Sequence, residues 1–217
     1  MSKDCKAKAD GSKHQEQSTK HKVQRPSRAC LEIHMQVQTQ KSPTPDNQTV
    51  WSFDRSHSTV EFSVKNFFFF TVKGQLAPPV GTLVIDEADV THSSVSATIE
   101  AQSIDTRNKQ RDTHLRATDI LDVQNYPEIH FESSSVRPGN DRDTLRVKGS
   151  LTIKNKSEPV ELEVILLDRS RSPRGEEVIY YVATTRLDRF KFGISYGRGI
   201  IGRLLNVTIN VQASRPL

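Results

Sequence analysis

Cysteine is scarce in this chain of 217 residues, because the two cysteines, Cys5 and Cys30, both lie before residue 50. A disulfide framework or a thiolate metal site needs several cysteines that the fold can bring together. Residues 50–217 contain none, so neither feature can stabilise them. Their fold is therefore independent of the redox state of the compartment.

The first 49 residues also lack aromatic side chains and have few aliphatic ones. Such a composition cannot bury enough apolar surface to offset the entropy that is lost on ordering. We therefore expect residues 1–49 to be a disordered basic tail and residues 50–217 to form a single domain with a sizeable core. Met35 is a second candidate for the first residue of the protein.

Positive charge is concentrated in the same tail, which has nine Lys and Arg against five Asp and Glu. The tail thus carries +4 of the net charge of +5, which leaves +1 on the domain. A near-neutral domain lacks the charge of a nucleic-acid binder, and we expect no nucleic-acid partner. A role of the basic tail as an adaptor for anionic surfaces stays open.

Long apolar runs are missing as well. No run approaches the roughly 18 residues of a transmembrane helix, and the tail lacks the apolar run of about 7 to 15 residues found in a secretory signal. We expect no membrane span and a cytoplasmic location. A periplasmic or secreted location is the alternative if the true N-terminus differs.

Apolar and polar residues alternate with a period of two over most of the domain. Val60, Phe62 and Val64 share one parity, whereas the residues between them are polar, which is typical of a strand with one buried face. Lys154–Ser157 reads as a hairpin turn between two long strands. The pattern predicts an all-β, antiparallel fold of about eight to ten strands, either a barrel or a sandwich. Further strands are expected at 50–54, 68–76, 81–86, 129–137 and 176–188.

Residues 105–126 do not follow this alternation. Asp105-Thr106 reads as a helix start, and Thr118-Asp119 reads as the cap of a second short helix before Pro127. We expect this helical insertion to cover one end of a barrel.

Two segments, 67–70 and 178–182, are apolar at successive positions and would place apolar side chains on both faces of a strand. Two explanations stay open. The outer face can be covered by the helices or by the partner of a homodimer. Alternatively, the inner face lines an apolar tunnel, since a closed barrel of about eight strands can hold one small ligand.

Several motifs occur in a fixed order along the domain. They are Trp51–Ser58 (WSFDRSHS), Val72–Gly74 (VKG), Ser103–Asn108 (SIDTRN), Arg111–Leu115 (RDTHL), Asp122-Val123, Tyr126–Ser133 (YPEIHFES), Gly149–Ile153, Pro159-Val160, Arg189 and Phe192–Ile194. Together they resemble the YceI-like family over the whole chain after the tail. The chain departs from the family pattern at Leu76, Asn155 and Lys191, where Phe, Gly and Asp are usual.

The resemblance implies an extended, lipocalin-like β-barrel of about eight strands with a short helical insertion. It implies binding of a polyisoprenoid, an isoprenoid quinone or a fatty-acid derivative, for carriage, storage or sensing. It implies no catalytic site and no cofactor other than such a bound lipid.

For such a ligand we expect an apolar tail among phenylalanines and a headgroup at the helical insertion. Arg107 and Arg111 are four residues apart and would share a helix face, directed either to solvent or to the barrel mouth. The candidate ligand-binding residues are Phe62, Phe68, Phe70, Arg107, Arg111, His114, Leu115, Phe131 and Phe192.

Three histidines, His57, His114 and His130, together with Asp112 and Ser133 raise the alternatives of a hydrolase or a metal site. No pair has the i, i+4 helical spacing or the CxxC context that makes such an assignment specific. We therefore expect no catalytic residue and no metal ligand. A hydrolase-type enzyme that uses His114 or His57 remains the alternative function.

Overall fold

The computed structural model describes residues 47–67, 69–173 and 175–216, so the predicted tail lies almost entirely outside the described residues. Ten strands and one α-helix make up this part of the chain. They are β1 Gln48–Phe53, β2 Thr59–Asn66, β3 Phe70–Leu76, β4 Val80–Asp86, β5 Ser94–Glu100, α1 Lys109–Leu115, β6 Glu128–Pro138, β7 Thr144–Ile153, β8 Lys156–Arg171, β9 Glu177–Asp188 and β10 Ile201–Arg215. Short 3-10 helices lie at Val90–His92 and Ala101–Ser103.

All strand pairs are antiparallel, and eight strands close into a ring in the order β1-β4-β5-β6-β7-β8-β9-β10. The ring closes where Ser52 on β1 pairs with Ser214 on β10. β10 is long enough to pair with β2 as well, and β2 pairs with β3. The fold is therefore a closed antiparallel barrel of about eight strands with a short helical insertion, which confirms the predicted fold class.

The barrel has two distinct ends. Because consecutive strands are antiparallel, the β2–β3 and β7–β8 hairpins, the β5–β6 connection and the β9–β10 connection all lie at one end, which we call the upper end. The β4–β5, β6–β7 and β8–β9 turns lie at the lower end. A cluster of buried residues sits at the upper end, formed by Ala101, Ile104, Ile120, Leu121, Val123 and Ile129.

The helical insertion holds one α-helix, and its start differs from the prediction. Asn108 is the N-cap of α1, accepting from the backbone N–H of Arg111 at 3.0 Å. Asp105 instead bridges Gln75 on β3, and Arg107 has a φ of +59°, which breaks a helix. Arg107 and Arg111 therefore do not share a helix face. The predicted second helix after Thr118 is also wrong, because residues 117–125 form successive turns.

Phe67 and Phe69 lie in the turn between β2 and β3, and β3 begins at Phe70, whereas the predicted strand starts at residue 68. Asn66 on β2 pairs with Phe70 on β3, so three residues are left to connect them. Phe67 has a φ of +47°, and the N–H of Phe69 donates to its carbonyl at 2.7 Å. Phe67 and Phe69 are thus placed at a turn rather than on two faces of a strand.

Glycines at two inward positions leave room for aromatic rings. A Cβ added at Gly74 would lie 2.4 Å from Cζ of Phe62, and one added at Gly149 would lie 2.6 Å from the ring of Phe131. The absence of a side chain lets each ring lie flat against the neighbouring strand. The β7–β8 turn is confirmed, although its left-handed residue is Lys154.

We expect Gly149→Ala to lower the free energy of unfolding by about 1 to 3 kcal/mol, the usual cost of overpacking. The new Cβ would lie 2.4 Å from the carbonyl oxygen of Glu132, a backbone atom that is fixed by the β6–β7 pairing. Urea denaturation measures the change. Ser150→Ala, at the adjacent solvent-facing position, is the matched control, and equal midpoints for the two variants would contradict the expectation.

Candidate functional site

The interior of the barrel contains a cavity of about 380 Å³, within the range of about 300 to 1,000 Å³ that is usual for ligand sites. Ile201 and Val211, the first and last wall residues on β10, are ten positions apart, which corresponds to about 30 Å of extended strand. The wall is mostly apolar. Its side chains include Val60, Phe62, Val64, Val95, Ile129, Phe131, Val136, Leu145, Val147, Leu151, Leu162, Val164, Ala183, Leu187, Leu205, Val207 and Ile209.

Trp51 is fully buried at the lower end of the barrel, where it packs in one cluster with the wall residues Phe53 and Ile85. The guanidinium groups of Arg169 and Arg215 stack on its ring at 5.3 and 5.0 Å. Arg169 makes two hydrogen bonds to Glu87, at 2.8 and 3.0 Å, and Nε of Arg215 donates to Glu177 at 2.6 Å. These bonds raise the pKa of Arg169 and lower that of Glu177. These contacts hold Trp51 in place at the lower end of the barrel.

The upper end of the cavity is polar. Nε of Arg111 donates to Oγ1 of Thr106 at 2.7 Å, and its Nη2 donates to the Thr106 carbonyl at 2.8 Å. Oδ1 of Asn66 is buried and has no hydrogen-bond partner in the described part of the chain. Tyr196 also lines the cavity and is 51% exposed. Since Tyr196 is the one exposed residue of the wall as described, the cavity opens beside it.

Arg189 holds the β9–β10 connection over this opening. Its guanidinium is 4% exposed and donates to four backbone carbonyls, those of Ile194, Tyr196, Ile201 and Gly202, at 2.7 to 3.0 Å. Burial lowers the pKa of Arg189, and the nearby Arg198 lowers it further. The arginine thus organises a segment that has no regular secondary structure of its own.

Asp112 fixes α1 beside the same opening. Its carboxylate accepts from the backbone N–H of Thr106 at 2.9 Å and from the Thr106 hydroxyl at 2.5 Å. Burial raises the pKa of Asp112, but the hydrogen bonds from Thr106 outweigh this effect, so the net shift is downward. Thr106 therefore links Asp112 to Arg111, and the side chain of Arg111 is held at the cavity wall.

The structure brings four of the predicted ligand-binding residues together on the cavity wall. These are Phe62, Arg111, Leu115 and Phe131. Their contact with a ligand stays a prediction.

The other predicted residues lie elsewhere. Phe70 is 69% exposed beyond the rim, and Phe192 is buried beneath a separate surface pocket that is bordered by β8 and β9. Arg107 is exposed before α1. His114 lies at the rim, where its ring meets that of Tyr196 edge-on at 4.4 Å. Phe68 lies outside the described residues.

Sequence reasoning missed Asn66, Thr106 and Tyr196 as wall residues. Alternation gives a signal for Asn66, because it continues the inward parity of Phe62 and Val64 along β2. Tyr196 carries no such signal, since it lies in an irregular connection whose path depends on Arg189.

His57 and His114, the histidines of the alternative hydrolase, each contact a carboxylate, and Nδ1 of His130 lies 3.2 Å from the exposed hydroxyl of Thr98. Nδ1 of His57 lies 2.9 Å from Oδ2 of Asp54, and this hydrogen bond lowers the pKa of Asp54. Nε2 of His114 lies 3.1 Å from Asp119. Within residues 47–67, 69–173 and 175–216, neither imidazole bonds a hydroxyl or thiol side chain, and no three His, Cys, Asp or Glu residues are grouped as a metal site. The helix described has neither the length nor the apolarity to cross a membrane.

A closed antiparallel barrel of eight strands with an apolar interior cavity belongs to the class of barrels that can hold one small ligand. A model of the YceI-like domain matches residues 51–213. The chain is therefore a member of the YceI-like family, as its motifs predicted.

Two relatives agree with this assignment. Protein YceI of Escherichia coli O157:H7 is 30% identical over 156 residues, which are 72% of this chain and 81% of the relative. A UPF0312 protein of Vibrio cholerae serotype O1 is 29% identical over 140 residues, 64% of this chain and 73% of its own.

Two solved structures share the fold. Burkholderia cenocepacia BcnA matches with a TM-score of 0.66 at 21% identity, over 74% of this chain and 98% of its own. A polyisoprenoid binding domain from Saccharophagus degradans, implicated in plant cell wall breakdown, matches with a TM-score of 0.57 at 14% identity, over 76% of this chain and 98% of its own.

Proposed function

We propose that the barrel binds one long-chain amphiphile, such as a polyisoprenoid, an isoprenoid quinone or a fatty-acid derivative, for carriage, storage or sensing and without catalysis. The observation that carries the proposal is the apolar cavity, whose wall follows β10 over about 30 Å. A cavity of this shape fits a long chain better than a compact ligand. The polyisoprenoid-binding neighbour from Saccharophagus degradans supports the same ligand class.

The amphiphile lies with its apolar tail toward Trp51 and its headgroup at the upper end. Burying an unpaired polar atom costs about 1 to 3 kcal/mol, and Oδ1 of Asn66 is such an atom. A ligand hydroxyl that donates to this oxygen removes the cost. Arg111, which also lines the cavity, supplies positive charge. The site therefore favours a headgroup with a hydroxyl, phenol or amide donor over a plain hydrocarbon.

Asn66→Leu tests this orientation, because leucine has a similar size and no polar atom. We expect the variant to bind a long-chain alcohol about tenfold more weakly relative to an alkane of equal length, which corresponds to one lost hydrogen bond. Displacement of a fluorescent fatty-acid analogue measures both affinities. Val64→Leu, one inward position away on β2, is the matched control for altered packing. An unchanged alcohol-to-alkane ratio in Asn66→Leu would place the headgroup elsewhere.

The proposed function itself is tested by organic extraction of the purified full-length chain, followed by mass spectrometry. We expect a stoichiometric long-chain amphiphile in the extract. A chain that carries no lipid, and that displaces no fluorescent probe on titration with isoprenoid alcohols, quinones and fatty acids, would refute it.

A further inference from the structure

The β2–β3 hairpin presents an exposed apolar surface at the upper end of the barrel. Phe69 is 87% exposed, Phe70 is 69% exposed and Phe67 is 56% exposed. Ile200 is also exposed and touches the hairpin, since its carbonyl accepts from the N–H of Phe67 at 3.0 Å. We call these four residues the aromatic tip. Such a group of exposed apolar side chains marks an interaction surface.

The stability of the barrel does not explain the aromatic tip. Phe67 adopts a φ of +47°, a region that is unfavourable for a bulky side chain and that glycine or asparagine would occupy at lower cost. Its ring is more than half exposed, so burial does not offset this strain. Strained residues of this kind are concentrated at functional sites. A binding partner that covers the aromatic tip would explain why a strained, exposed phenylalanine stands at position 67.

Positive charge surrounds the aromatic tip. The two segments that form and flank it, residues 62–76 and 189–205, contain six Lys and Arg and no Asp or Glu. Three of these cations, Lys65, Lys73 and Arg198, are exposed, and none has a carboxylate partner in the described part of the chain. The domain is near-neutral overall, but positive charge without a carboxylate partner is concentrated around the aromatic tip.

The aromatic tip also borders the opening of the cavity. Asn66, which lines the cavity, directly precedes Phe67, and Ile201, another wall residue, directly follows Ile200. Tyr196 at the rim belongs to the same connection as Ile200. A surface that covers the aromatic tip therefore faces the route by which a ligand enters.

We propose that the aromatic tip docks on an anionic phospholipid bilayer and inserts its phenyl rings among the headgroups, with the cavity opening directed at the membrane. Apolar side chains flanked by basic ones are the combination that binds an anionic membrane surface. Basic residues near such a surface are attracted by its negative charge and strengthen the binding. A protein partner fits less well, because the core of a protein interface is depleted of charge and each partner usually buries about 800 Å².

Flotation of the full-length protein with vesicles tests the proposal. The vesicles contain phosphatidylglycerol and phosphatidylcholine in equal parts, or phosphatidylcholine alone. We expect binding to the anionic vesicles, and binding that is at least about tenfold weaker for the double variant Phe69→Ser/Phe70→Ser. Leu167→Ser removes an apolar side chain on β8 that is 62% exposed. It is the control and should bind as the unchanged protein does.

Insertion is read separately by the Phe69→Trp variant in vesicles with brominated phosphatidylcholine. Trp51 is buried at the opposite end of the barrel and supplies an unquenched background. Quenching in Phe69→Trp above that background supports the proposal. It is overturned if the double variant binds as strongly as the unchanged protein, which would assign binding to the basic tail, or if Phe69→Trp is not quenched. It is also overturned if sedimentation shows a dimer that the double variant loses while neither protein binds vesicles.

Membrane docking does not depend on the cargo. A protein whose cavity is empty on extraction but which floats through the aromatic tip would refute the proposed function and leave this inference standing. A protein that carries a lipid on extraction but does not float with vesicles would refute this inference and leave the proposed function standing.

Discussion

Arg189→Met should lower the free energy of unfolding by about 3 to 5 kcal/mol, the largest stability effect that we expect from a single substitution in the chain. The guanidinium of Arg189 is the shared donor for the carbonyls of Ile194, Tyr196, Ile201 and Gly202. Methionine retains much of the apolar volume but leaves these acceptors without a donor. Urea denaturation followed by circular dichroism gives the free energy of each variant.

Arg203→Met is the matched control on the same part of the barrel. Its guanidinium is exposed and pairs with Asp188, and exposed ion pairs contribute about 1 kcal/mol or less. Arg189→Lys should fall between the two, because an ammonium group has three donors and a different geometry. If Arg189→Met and Arg203→Met unfold at the same urea concentration, the carbonyl cluster around Arg189 is not what holds the β9–β10 connection.

The regular parts of this barrel were predictable because each strand buries one face. Alternation at Val60, Phe62 and Val64 indicated which side chains point inward, and the structure places all three on the cavity wall. The turn between β7 and β8 was equally predictable, since two long alternating runs flank Lys154 and Asn155. Alternation with a period of two directly indicates which face of a strand points into the barrel and which faces solvent.

The insertion and the hairpin were not predictable by the same rule. Thr106 looks like a helix cap in the sequence, but Asp112 binds both its N–H and its hydroxyl, and the helix starts later, after Asn108. A hydrogen bond between residues six apart leaves no periodic pattern in the sequence. The phenylalanine run predicts a strand because phenylalanine favours strands, whereas the pairing of Asn66 with Phe70 places Phe67 and Phe69 in a turn.

The site was predictable in its chemistry and only partly in its residues. The sequence led to an apolar tunnel with a polar mouth, and Phe62, Phe131 and Arg111 do line the cavity. Phe192 shares a motif with Ile194, yet Ile194 reaches the cavity and Phe192 faces another pocket. Position in a motif does not determine which way a side chain points in an irregular segment. The cytoplasmic location and the homodimer stay predictions.

Ala183→Trp should abolish amphiphile binding, with a loss of at least about tenfold in affinity, while the barrel stays folded. Ala183 lies on β9 with its side chain on the cavity wall between Tyr181 and Thr185. An indole at this position extends into the cavity of about 380 Å³ and blocks it. Overpacking a filled core usually costs about 1 to 3 kcal/mol, but here the added side chain enters space that is already present. Fluorescence displacement measures the affinity, and urea denaturation measures the stability.

Thr184→Trp is the matched control, since it adds the same side chain to the adjacent residue, which is exposed on the outer face of β9. We expect this variant to keep both its affinity and its free energy of unfolding. A cavity and a filled core then give opposite results for Ala183→Trp. In a cavity, affinity falls and stability is retained, because the tryptophan replaces the ligand. In a filled core, stability falls by the full overpacking cost and lipid uptake, if there is any, does not change. The second result would remove the basis of the proposed function, because that proposal rests on the apolar cavity whose wall follows β10 for about 30 Å.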